Sequence, residues 1–299
     1  MSGAGRGGAP GPGTLYVVAT PIGNLGDLSP RAAEVLRGVQ AVAAEDTRRT
    51  LRLYAHLGAP PPALLSLPAF DERGRLSGVL ERLGAGQDVA LCTDAGTPGV
   101  SDPGAALVAA AWEAGVPVVP VPGPSAALAA LAASGFPADR FVFAGFLPRK
   151  GGGRAEALAW LARAGTTAVL YEAGNRAAET LRDLAAALGE RPALVARELT
   201  KLHEELLRAP LSDLAAALEG REEVRGEITL VIGPPEKAAG AGALAEPEAT
   251  PEPIEVELRR RLAAGDPPSA IAREVARARG LRRADVYDAL ERVKRGGGG

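Results

Sequence analysis

The chain has 299 residues, of which 46% are hydrophobic and 4% aromatic, and its formal net charge is −2. This length predicts one large domain or two smaller ones. The charge excludes a strongly basic protein that coats nucleic acid, but it does not exclude a local basic patch. Because Cys92 is the only cysteine and there are two histidines, we expect no internal disulfide and no bound metal. No apolar run approaches the roughly 18 residues of a membrane span, and we expect a cytoplasmic protein.

Strand and helix patterns alternate from Thr14 onward. Residues 1–13 are rich in Gly and Pro and are predicted to form a disordered tail without a secretory signal. Five strands are predicted up to residue 121: TLYVVAT, VQAVAA, LLSL, QDVALCT and VPVVPV. The segments between them have helical patterns, and SPRAAEVLRGV begins with Ser29 as a helix cap. The alternation is typical of an α/β domain around a mostly parallel sheet, and we assign it to residues 14–121.

The alternation continues beyond a predicted hinge at residues 121–125. GPSAALAALAASG predicts a helix made of small residues. Four more strands are predicted, each followed or preceded by a helical pattern: RFVFAGF, TTAVLYE, PALVARE and GEITLVIG. Residues 122–233 are therefore predicted to form a C-terminal α/β domain, and residues 234–253, rich in Pro, Ala, Gly and Glu, a linker.

The last segment, residues 254–295, is predicted to form three short helices. From Ile254 to the end there are eleven Arg and Lys against seven Asp and Glu, so this is the basic part of the chain. The pattern resembles a helix-turn-helix unit, whose second helix can lie against nucleic acid. A small solvated bundle with Arg-rich faces is the alternative.

Four polar loops each follow a predicted strand, where open α/β sheets gather their ligands. The loops are TPIGN (20–24), EDTRRT (45–50), TDAGTPGVSDPG (93–104) and PGPSA (122–126). Each alone is compatible with a plain turn. Together they offer main-chain groups and small side chains, which favours a flat polar ligand held mainly by backbone. The single G-x-G-x-x-G match, in the first ten residues, lacks a flanking strand and helix and is rejected.

The loop EDTRRT places two carboxylates and two guanidinium groups in five residues. Glu45 is a candidate to orient a ligand hydroxyl or take its proton, and Asp46 is a candidate cap for the following helix. Arg48 or Arg49 is a candidate to hold a phosphate. The alternative is a capping Asp followed by solvated arginines.

Three loops of the second half carry further candidate groups. The Gly-rich basic loop LPRKGGGR, residues 147–154, is compatible with a phosphate clamp or with a helix lead-in. ARELTKLHEE, residues 196–205, follows a strand and is either an exposed polar loop or part of a site. YEAGNR, residues 171–176, brings a tyrosine and a carboxylate to the end of a strand.

Eight motifs in this order resemble the RsmI family of small-subunit ribosomal RNA cytidine 2′-O-methyltransferases. They are TPIGN, AAEDTR, TDAGTP, PGPSA, GFLPRK, YE…R, ARELTK and RGE, spread over about residues 14–233. The resemblance implies the two-domain α/β tetrapyrrole-methylase fold (a class III methyltransferase) with a small all-α C-terminal domain. It implies S-adenosylmethionine in the cleft between the two α/β domains. The implied substrate is a cytidine ribose in the decoding region of 16S rRNA within the small subunit.

The resemblance implies the residues that bind the cofactor, and the charged groups at strand ends and in basic loops suggest the catalytic and RNA-binding residues. Residues that bind the cofactor are expected to be Pro21, Asp94, Ala95, Gly96, Gly99, Val100, Ser125, Ala126, Tyr171, Ala196 and Gly226. Glu45 or Asp46 is the expected general base, and Lys201 is expected to stabilise developing oxyanion charge. RNA contacts are expected from Asn24, Arg48, Arg49, Arg149, Lys150, Arg154 and Arg197. The family usually forms homodimers, and we expect neither DNA nor a membrane as a partner.

Two stretches depart from the family pattern, and other functions remain open. Residues 70–73 are Phe-Asp-Glu-Arg and residues 173–176 are Ala-Gly-Asn-Arg, and we expect both stretches to face RNA. One alternative is a methylase of the same fold acting on a small molecule such as a tetrapyrrole, although TPIGN stands where those relatives usually carry Gly-Pro-Gly-Asp. The others are a non-catalytic ribosome-binding protein and a structural assembly factor.

Overall fold

The computed structural model describes residues 11–235, 254–279 and 282–295. These residues belong to two compact units, one with two five-stranded sheets and one with the last three helices. Most of the predicted tail and of the predicted linker lies outside the described residues. The tail prediction is wrong at Gly13, whose N–H donates to the Leu83 carbonyl at 2.8 Å. No helix in the described ranges is long and apolar enough to cross a membrane.

The first sheet is parallel throughout. Its strands are β1 (Leu15–Val18), β2 (Ala41–Ala44), β3 (Ala63–Ser66), β4 (Val89–Cys92) and β5 (Val118–Val121), in the order β3-β2-β4-β1-β5. They are connected by α1 (Pro30–Gly38), α2 (Thr47–Leu57), α3 (Glu72–Gly84) and α4 (Ala105–Glu113). Helices α1 and α2 cover one face of this sheet, and α3 and α4 cover the other. Because both faces are buried, its strands are almost wholly apolar.

The second sheet is mixed, unlike the first. Its strands are β6 (Phe141–Phe146), β7 (Thr167–Ala173), β8 (Pro192–Arg197), β9 (Glu205–Pro210) and β10 (Glu227–Ile232), in the order β6-β7-β10-β8-β9. Only β6 and β7 form a parallel pair of neighbouring strands, because β10 inserts between β7 and β8 and runs antiparallel to both. Strand β9, which forms an antiparallel pair with β8, was not predicted.

Four helices cover this second sheet. They are α5 (Ala126–Ser134), α6 (Gly152–Ala164), α7 (Gly174–Leu188) and α8 (Leu211–Glu219). Helices α6, α7 and α8 pack on one face and α5 on the other. Although α5 follows β5 of the first sheet directly, its apolar side packs against β7, β8 and β10. The boundary predicted at residues 121 and 122 falls between β5 and α5.

Glu72, which we expected to face RNA, instead caps a helix. Its Oε1 accepts hydrogen bonds from the backbone N–H groups of Gly104, Ala106 and Leu107 at 2.9 to 3.1 Å. A carboxylate at this place satisfies the free N–H groups and the positive end of α4. Glu72 therefore fixes the end of the loop that follows β4.

The second unit consists of α9 (Ile254–Ala263), α10 (Pro268–Arg279) and α11 (Arg283–Arg295). Its core is formed by Leu258, Ile271, Ala272, Val275, Ala276, Val286, Ala289, Leu290 and Val293. Arg261 pairs with Asp266 and with Glu274, so part of the excess positive charge is neutralised within the unit. The predicted fold class, an α/β protein with a small all-α C-terminal domain, is confirmed.

Candidate active site

A cleft of about 450 Å³ lies where the carboxyl ends of β1, β2, β4 and β5 face the second sheet. Nine of the eleven residues predicted to bind the cofactor line it: Asp94, Ala95, Gly96, Val100, Ser125, Ala126, Tyr171, Ala196 and Gly226. Pro21 instead lines a neighbouring cavity. Gly99 lines neither, and its N–H donates to the Pro103 carbonyl within the same loop.

The loop after β4 is held close to the loop after β1. Thr20 and Gly96 exchange two backbone hydrogen bonds, at 2.8 and 3.0 Å, and the Thr20 hydroxyl donates to the Thr93 carbonyl. Gly96 has a φ of +84°, a conformation that a residue with a Cβ rarely adopts. The composition of TDAGTPGVSDPG thus allows the chain to turn tightly and to present main chain to the cleft.

Two carboxylates of the first sheet fix each other at the floor of the cleft. Glu45 Oε2 accepts the backbone N–H of Asp94, and Asp94 Oδ1 accepts the backbone N–H of Asp46, both at 3.1 Å. Arg49 Nε lies 3.3 Å from Asp94 Oδ2. Burial raises the pKa of Glu45 and of Asp94. Within the described residues, no three His, Cys, Asp or Glu side chains are grouped so that they could hold a metal ion.

Asp46 is not placed as a general base. Its side chain caps α2 by accepting the N–H of Arg48, and its carboxylate pairs with the Arg48 guanidinium at 2.6 Å. The hydrogen bonds from Arg48 lower the pKa of Asp46 to about 2. Because Asp46 does not line the cleft, the structure favours the capping interpretation of this residue.

Asp102 lines the cleft and was missed by the sequence analysis. Burial, together with repulsion from the nearby carboxylates of Glu45, Asp94 and Glu227, raises its pKa to about 6. Among the described residues its carboxylate has no hydrogen-bond or ion-pair partner. The available signal was a second carboxylate in the loop after β4, but nothing local distinguishes it from a solvated Asp.

On the side of the second sheet, Lys201 joins two carboxylates. Its Nζ lies 2.9 Å from Glu198 Oε1 and 2.9 Å from Glu227 Oε2. Burial lowers the pKa of Lys201, but the hydrogen bonds that its ammonium donates to Glu227 and Glu198 outweigh burial, so the pKa is raised and the ammonium stays charged. Residues 198–204 form the connection between β8 and β9, and Leu199 and Lys201 from it line the cleft.

The connection 198–204 closes onto the loop after β1. A Cβ added at Gly23 would collide with Lys201 Cγ and lie 3.2 Å from the Leu199 carbonyl. Glu198 and Thr200 adopt positive φ angles of 50° and 66°, and Ser101 across the cleft has 66°. Non-glycine residues in this conformation are uncommon and cluster at functional sites.

An aromatic wall closes the cleft on the side of β6 and β7. The ring of Tyr171 lies 5.6 Å from that of Phe146 and 5.0 Å from that of Phe143, measured between centroids. Burial raises the pKa of the Tyr171 hydroxyl. Phe146 is 58% exposed and lines the cleft, but the strand pattern alone did not mark it as a site residue.

The residues expected to contact RNA differ in their accessibility. Asn24, Arg48, Arg49, Arg149 and Lys150 are exposed. Arg197 is partly buried and pairs with Glu205 at 3.1 Å. The prediction for Arg154 is corrected, because its guanidinium is 9% exposed and bonds to Asp183, Thr180 and the Pro148 carbonyl. Arg154 therefore fastens the basic loop to α7 and is not available to RNA in this conformation.

Known proteins match most of the chain. The family model described as Tetrapyrrole (Corrin/Porphyrin) Methylases matches residues 14–215. A protein of Xylella fastidiosa named "Ribosomal RNA small subunit methyltransferase I" is 51% identical over 74% of this chain and 81% of its own length. A protein of the same name from Synechocystis sp. is 46% identical over 92% of this chain and 96% of its own.

Solved structures share the fold. The uroporphyrin-III C-methyl transferase of Thermus thermophilus complexed with S-adenyl homocysteine has a TM-score of 0.53 and 24% identity over 74% of this chain and 97% of that one. A diphthine synthase has a TM-score of 0.58 and 16% identity over 74% and 90%. The resemblance predicted from the eight motifs is confirmed by the sequence relatives. The chain therefore belongs to the tetrapyrrole methylase family and, within it, to the group named ribosomal RNA small subunit methyltransferase I.

Proposed function

We propose that the protein transfers a methyl group from S-adenosylmethionine to the 2′-hydroxyl of a cytidine ribose in the decoding region of 16S rRNA, on the small ribosomal subunit. The observation that carries this proposal is the cleft, in which main chain and carboxylates of the first sheet face an aromatic wall of the second. The names of the relatives support ribosomal RNA as the substrate class. The proposed place of action is the cytoplasm, and the proposed state is a homodimer.

The residues of the cleft fit S-adenosylmethionine. The volume of about 450 Å³ is within the range of small-molecule sites, roughly 300–1,000 Å³. Phe146 and Tyr171 offer aromatic surface to a flat base. Five acidic residues line the cleft against two cationic ones, namely Glu45, Asp94, Asp102, Glu172 and Glu227 against Arg49 and Lys201. This excess of negative charge suits the positive sulfonium group.

Side chains of the cleft would provide the proton acceptor and the charge stabilisation that methyl transfer needs. S-adenosylmethionine, when bound, supplies a methyl group on a positively charged sulfur. Glu45, whose raised pKa makes it a stronger base than an exposed carboxylate, would take the proton of the 2′-hydroxyl on its carboxylate oxygen. The Lys201 ammonium would stabilise negative charge that develops on the ribose oxygen. Correct alignment by the two loops contributes up to about 7–11 kcal/mol in well-oriented systems.

Each of the two units of the chain carries residues proposed to contact RNA. Asn24, Arg48, Arg49, Arg149 and Lys150 are exposed, and Arg197 is partly buried. The helix-turn-helix-like unit, residues 254–295, would provide a second hold through its exposed arginines. The proposed domains of the first unit are residues 14–121 and 122–233, each built around one sheet.

The function is tested by incubating the purified protein with labelled S-adenosylmethionine and small subunits that lack the modification. Naked 16S rRNA and a tetrapyrrole precursor are run in parallel, and labelled RNA is mapped by ribose-methylation-sensitive cleavage. We expect label at one cytidine 2′-oxygen, in subunits only. Label on the tetrapyrrole would instead identify a small-molecule methylase. Cofactor binding without transfer to any acceptor would favour a non-catalytic ribosome-binding protein.

Replacement of Glu45 tests the proton acceptor. Glu45→Gln keeps the size of the side chain but removes the base, so we expect kcat to fall by about 10²-fold or more. The dissociation constant for S-adenosylmethionine, measured by calorimetry, should change little. Glu34→Gln, an exposed position on α1, is the matched control. Normal turnover of Glu45→Gln would remove Glu45 from the mechanism.

A further inference from the structure

A second cavity of about 240 Å³ adjoins the cleft. It lies between the loop after β1 and the face of α2, and shares Arg49 and Asp94 with the cleft. Its other lining residues are Thr20, Pro21, Leu25, Thr50, Arg52, Leu53, Cys92 and Thr93. The Arg49–Asp94 ion pair therefore stands as a wall between the two spaces. Pro21 and Asp94 were expected to bind the cofactor and Arg49 to contact RNA, but neither the sequence motifs nor the names of the relatives assign a ligand to the other lining residues.

The wall of the second cavity carries an unused hydroxyl group. Thr93 is 5% exposed, and its Oγ1 has no hydrogen-bond partner in the described part of the chain, whereas the hydroxyls of Thr20 and Thr50 both donate to backbone carbonyls. A buried polar atom without a partner is costly, and native proteins rarely keep one without a reason. Since Thr93 lines the cavity, a ligand with a polar edge would satisfy it.

The rim of the cavity carries positive charge that is not neutralised. Arg49 and Arg52 are three residues apart on α2 and therefore lie on the same side of that helix. Arg52 is exposed and has no ion-pair partner among the described residues. Arg49 shares its guanidinium with Asp94 at 3.3 Å, a long contact that leaves N–H donors available. Two guanidinium groups over a pocket of this kind bind phosphate oxygens well.

We propose that the second cavity is the subsite for one nucleotide unit of the acceptor RNA, with a phosphodiester on Arg52 and Arg49 and the nucleoside against Thr93. This inference rests on the proposed function and deepens it. The nucleotide in this cavity is a neighbour of the modified one, because the Arg49–Asp94 pair would stand between a ribose held here and the donor and Glu45 in the cleft. The RNA strand would then pass Arg49 and Asp94 on its way from the second cavity to the cleft, where the acceptor ribose meets the methyl donor. Enclosure of a single nucleotide also requires that it leave the base stack.

Binding of a single nucleotide tests the subsite without catalysis. The full chain is saturated with S-adenosylhomocysteine, and cytidine 5′-monophosphate is titrated by calorimetry. We expect the nucleotide to bind to the saturated protein and Arg52→Ala to weaken its binding by about tenfold, because a charge-assisted contact is lost. Thr93→Val should weaken binding severalfold, whereas Thr93→Ser, which keeps the hydroxyl, should retain most of it. Arg163→Ala, an exposed arginine on α6 that lines neither space, should bind as the wild type does.

Other outcomes overturn the proposal. If the wild type does not bind the nucleotide, the cavity is not a nucleotide site. The same follows if Arg52→Ala and Thr93→Val both bind the nucleotide as tightly as the wild type does. If Thr93→Val raises the melting temperature and leaves nucleotide binding intact, the hydroxyl has only a packing role. If Arg52→Ala weakens S-adenosylhomocysteine as much as the nucleotide, the cavity holds the carboxylate end of the donor instead.

The subsite and the proposed function fail in different ways. A wild-type protein that binds the nucleotide as expected but does not methylate small subunits would refute the function and keep the subsite. A protein that methylates subunits with the same KM in the wild type and in Arg52→Ala would refute the subsite and keep the function.

Discussion

At the scale of single residues, Asp102 shows how the fold alters an ordinary side chain. It is half-buried in the cleft, and burial together with three nearby carboxylates raises its pKa from 3.8 to about 6. Between about pH 4 and 6 the folded protein therefore holds a proton that the unfolded chain has released. The stability contributed by this proton is fully present below about pH 4 and is lost as the pH rises through about 6.

Replacement of Asp102 should consequently stabilise the protein at neutral pH. Asp102→Asn removes the charge, and because solvent screens a half-exposed group we expect a gain of only about 1 kcal/mol. Melting temperatures of the variant and the wild type should converge near pH 4 and separate near pH 8. Asp139→Asn, at an exposed position, is the control and should show no such divergence. A parallel pH dependence for Asp102→Asn and the wild type would contradict the raised pKa.

The sequence predicted those site residues whose signal is local. Asp94 and Glu45 stand directly after apolar strands, and small residues around Gly96 mark a backbone-lined loop. The raised pKa of Asp102 depends on burial in the assembled cleft and on carboxylates that include Glu45 and Glu227, which are distant in the chain, so no local pattern could reveal it. Arg154 was misjudged for the same reason, since its partners Asp183 and Thr180 are on α7.

At the scale of elements, the connection 198–204 is positioned by a single glycine of the opposite loop. Gly23→Ala would introduce a methyl group against Lys201 and within 3.2 Å of the Leu199 carbonyl. We expect this loop to shift and kcat/KM to fall by roughly tenfold or more, because small displacements of catalytic groups are costly. Gly38→Ala is the matched control, since a Cβ there meets nothing within 4 Å. Equal activity of both variants would show that the contact is not required.

Helix α4 is held by a side chain from a different element. Glu72→Ala would leave three backbone N–H groups at the N-terminus of α4 without their acceptor. We therefore expect the free energy of unfolding to fall by about 1–3 kcal/mol. Chemical denaturation would measure the loss. Glu81→Ala, exposed on the same helix α3, should cost less than about 0.5 kcal/mol. Equal stability of the two variants would show that solvent replaces the cap.

Element types were predictable from the sequence, but their arrangement was not. Apolar runs and helix caps such as Ser29 gave nearly every strand and helix of both sheets. Strand β9 was missed because its alternating pattern, ELLRAP, follows a polar loop with no strong turn signal. The direction of β10 could not be predicted either, since it depends on insertion between β7 and β8 rather than on its own residues.

At the scale of the whole molecule, the all-α unit differs from the unit with the two sheets in two ways. It is a compact unit of its own, and it is basic. Deletion of residues 254–299 removes eleven cationic side chains and leaves every residue of the cleft in place. We expect affinity for small subunits to fall and its dependence on salt to become shallower, because fewer phosphate contacts are made. Binding of S-adenosylmethionine should be unchanged, which also controls for folding. An unaltered salt dependence would show that this unit does not hold RNA.

The left-handed residues around the cleft have a consequence for protein engineering. Ser101, Glu198 and Thr200 all have positive φ, and at Thr200 the branched side chain makes this conformation especially unfavourable. Each such residue costs the native state on the order of 1–3 kcal/mol. A library selected only for heat resistance should therefore accumulate Gly or Asn at these three positions, with an accompanying loss of turnover. Substitutions at these three positions would then raise the melting temperature and lower kcat together.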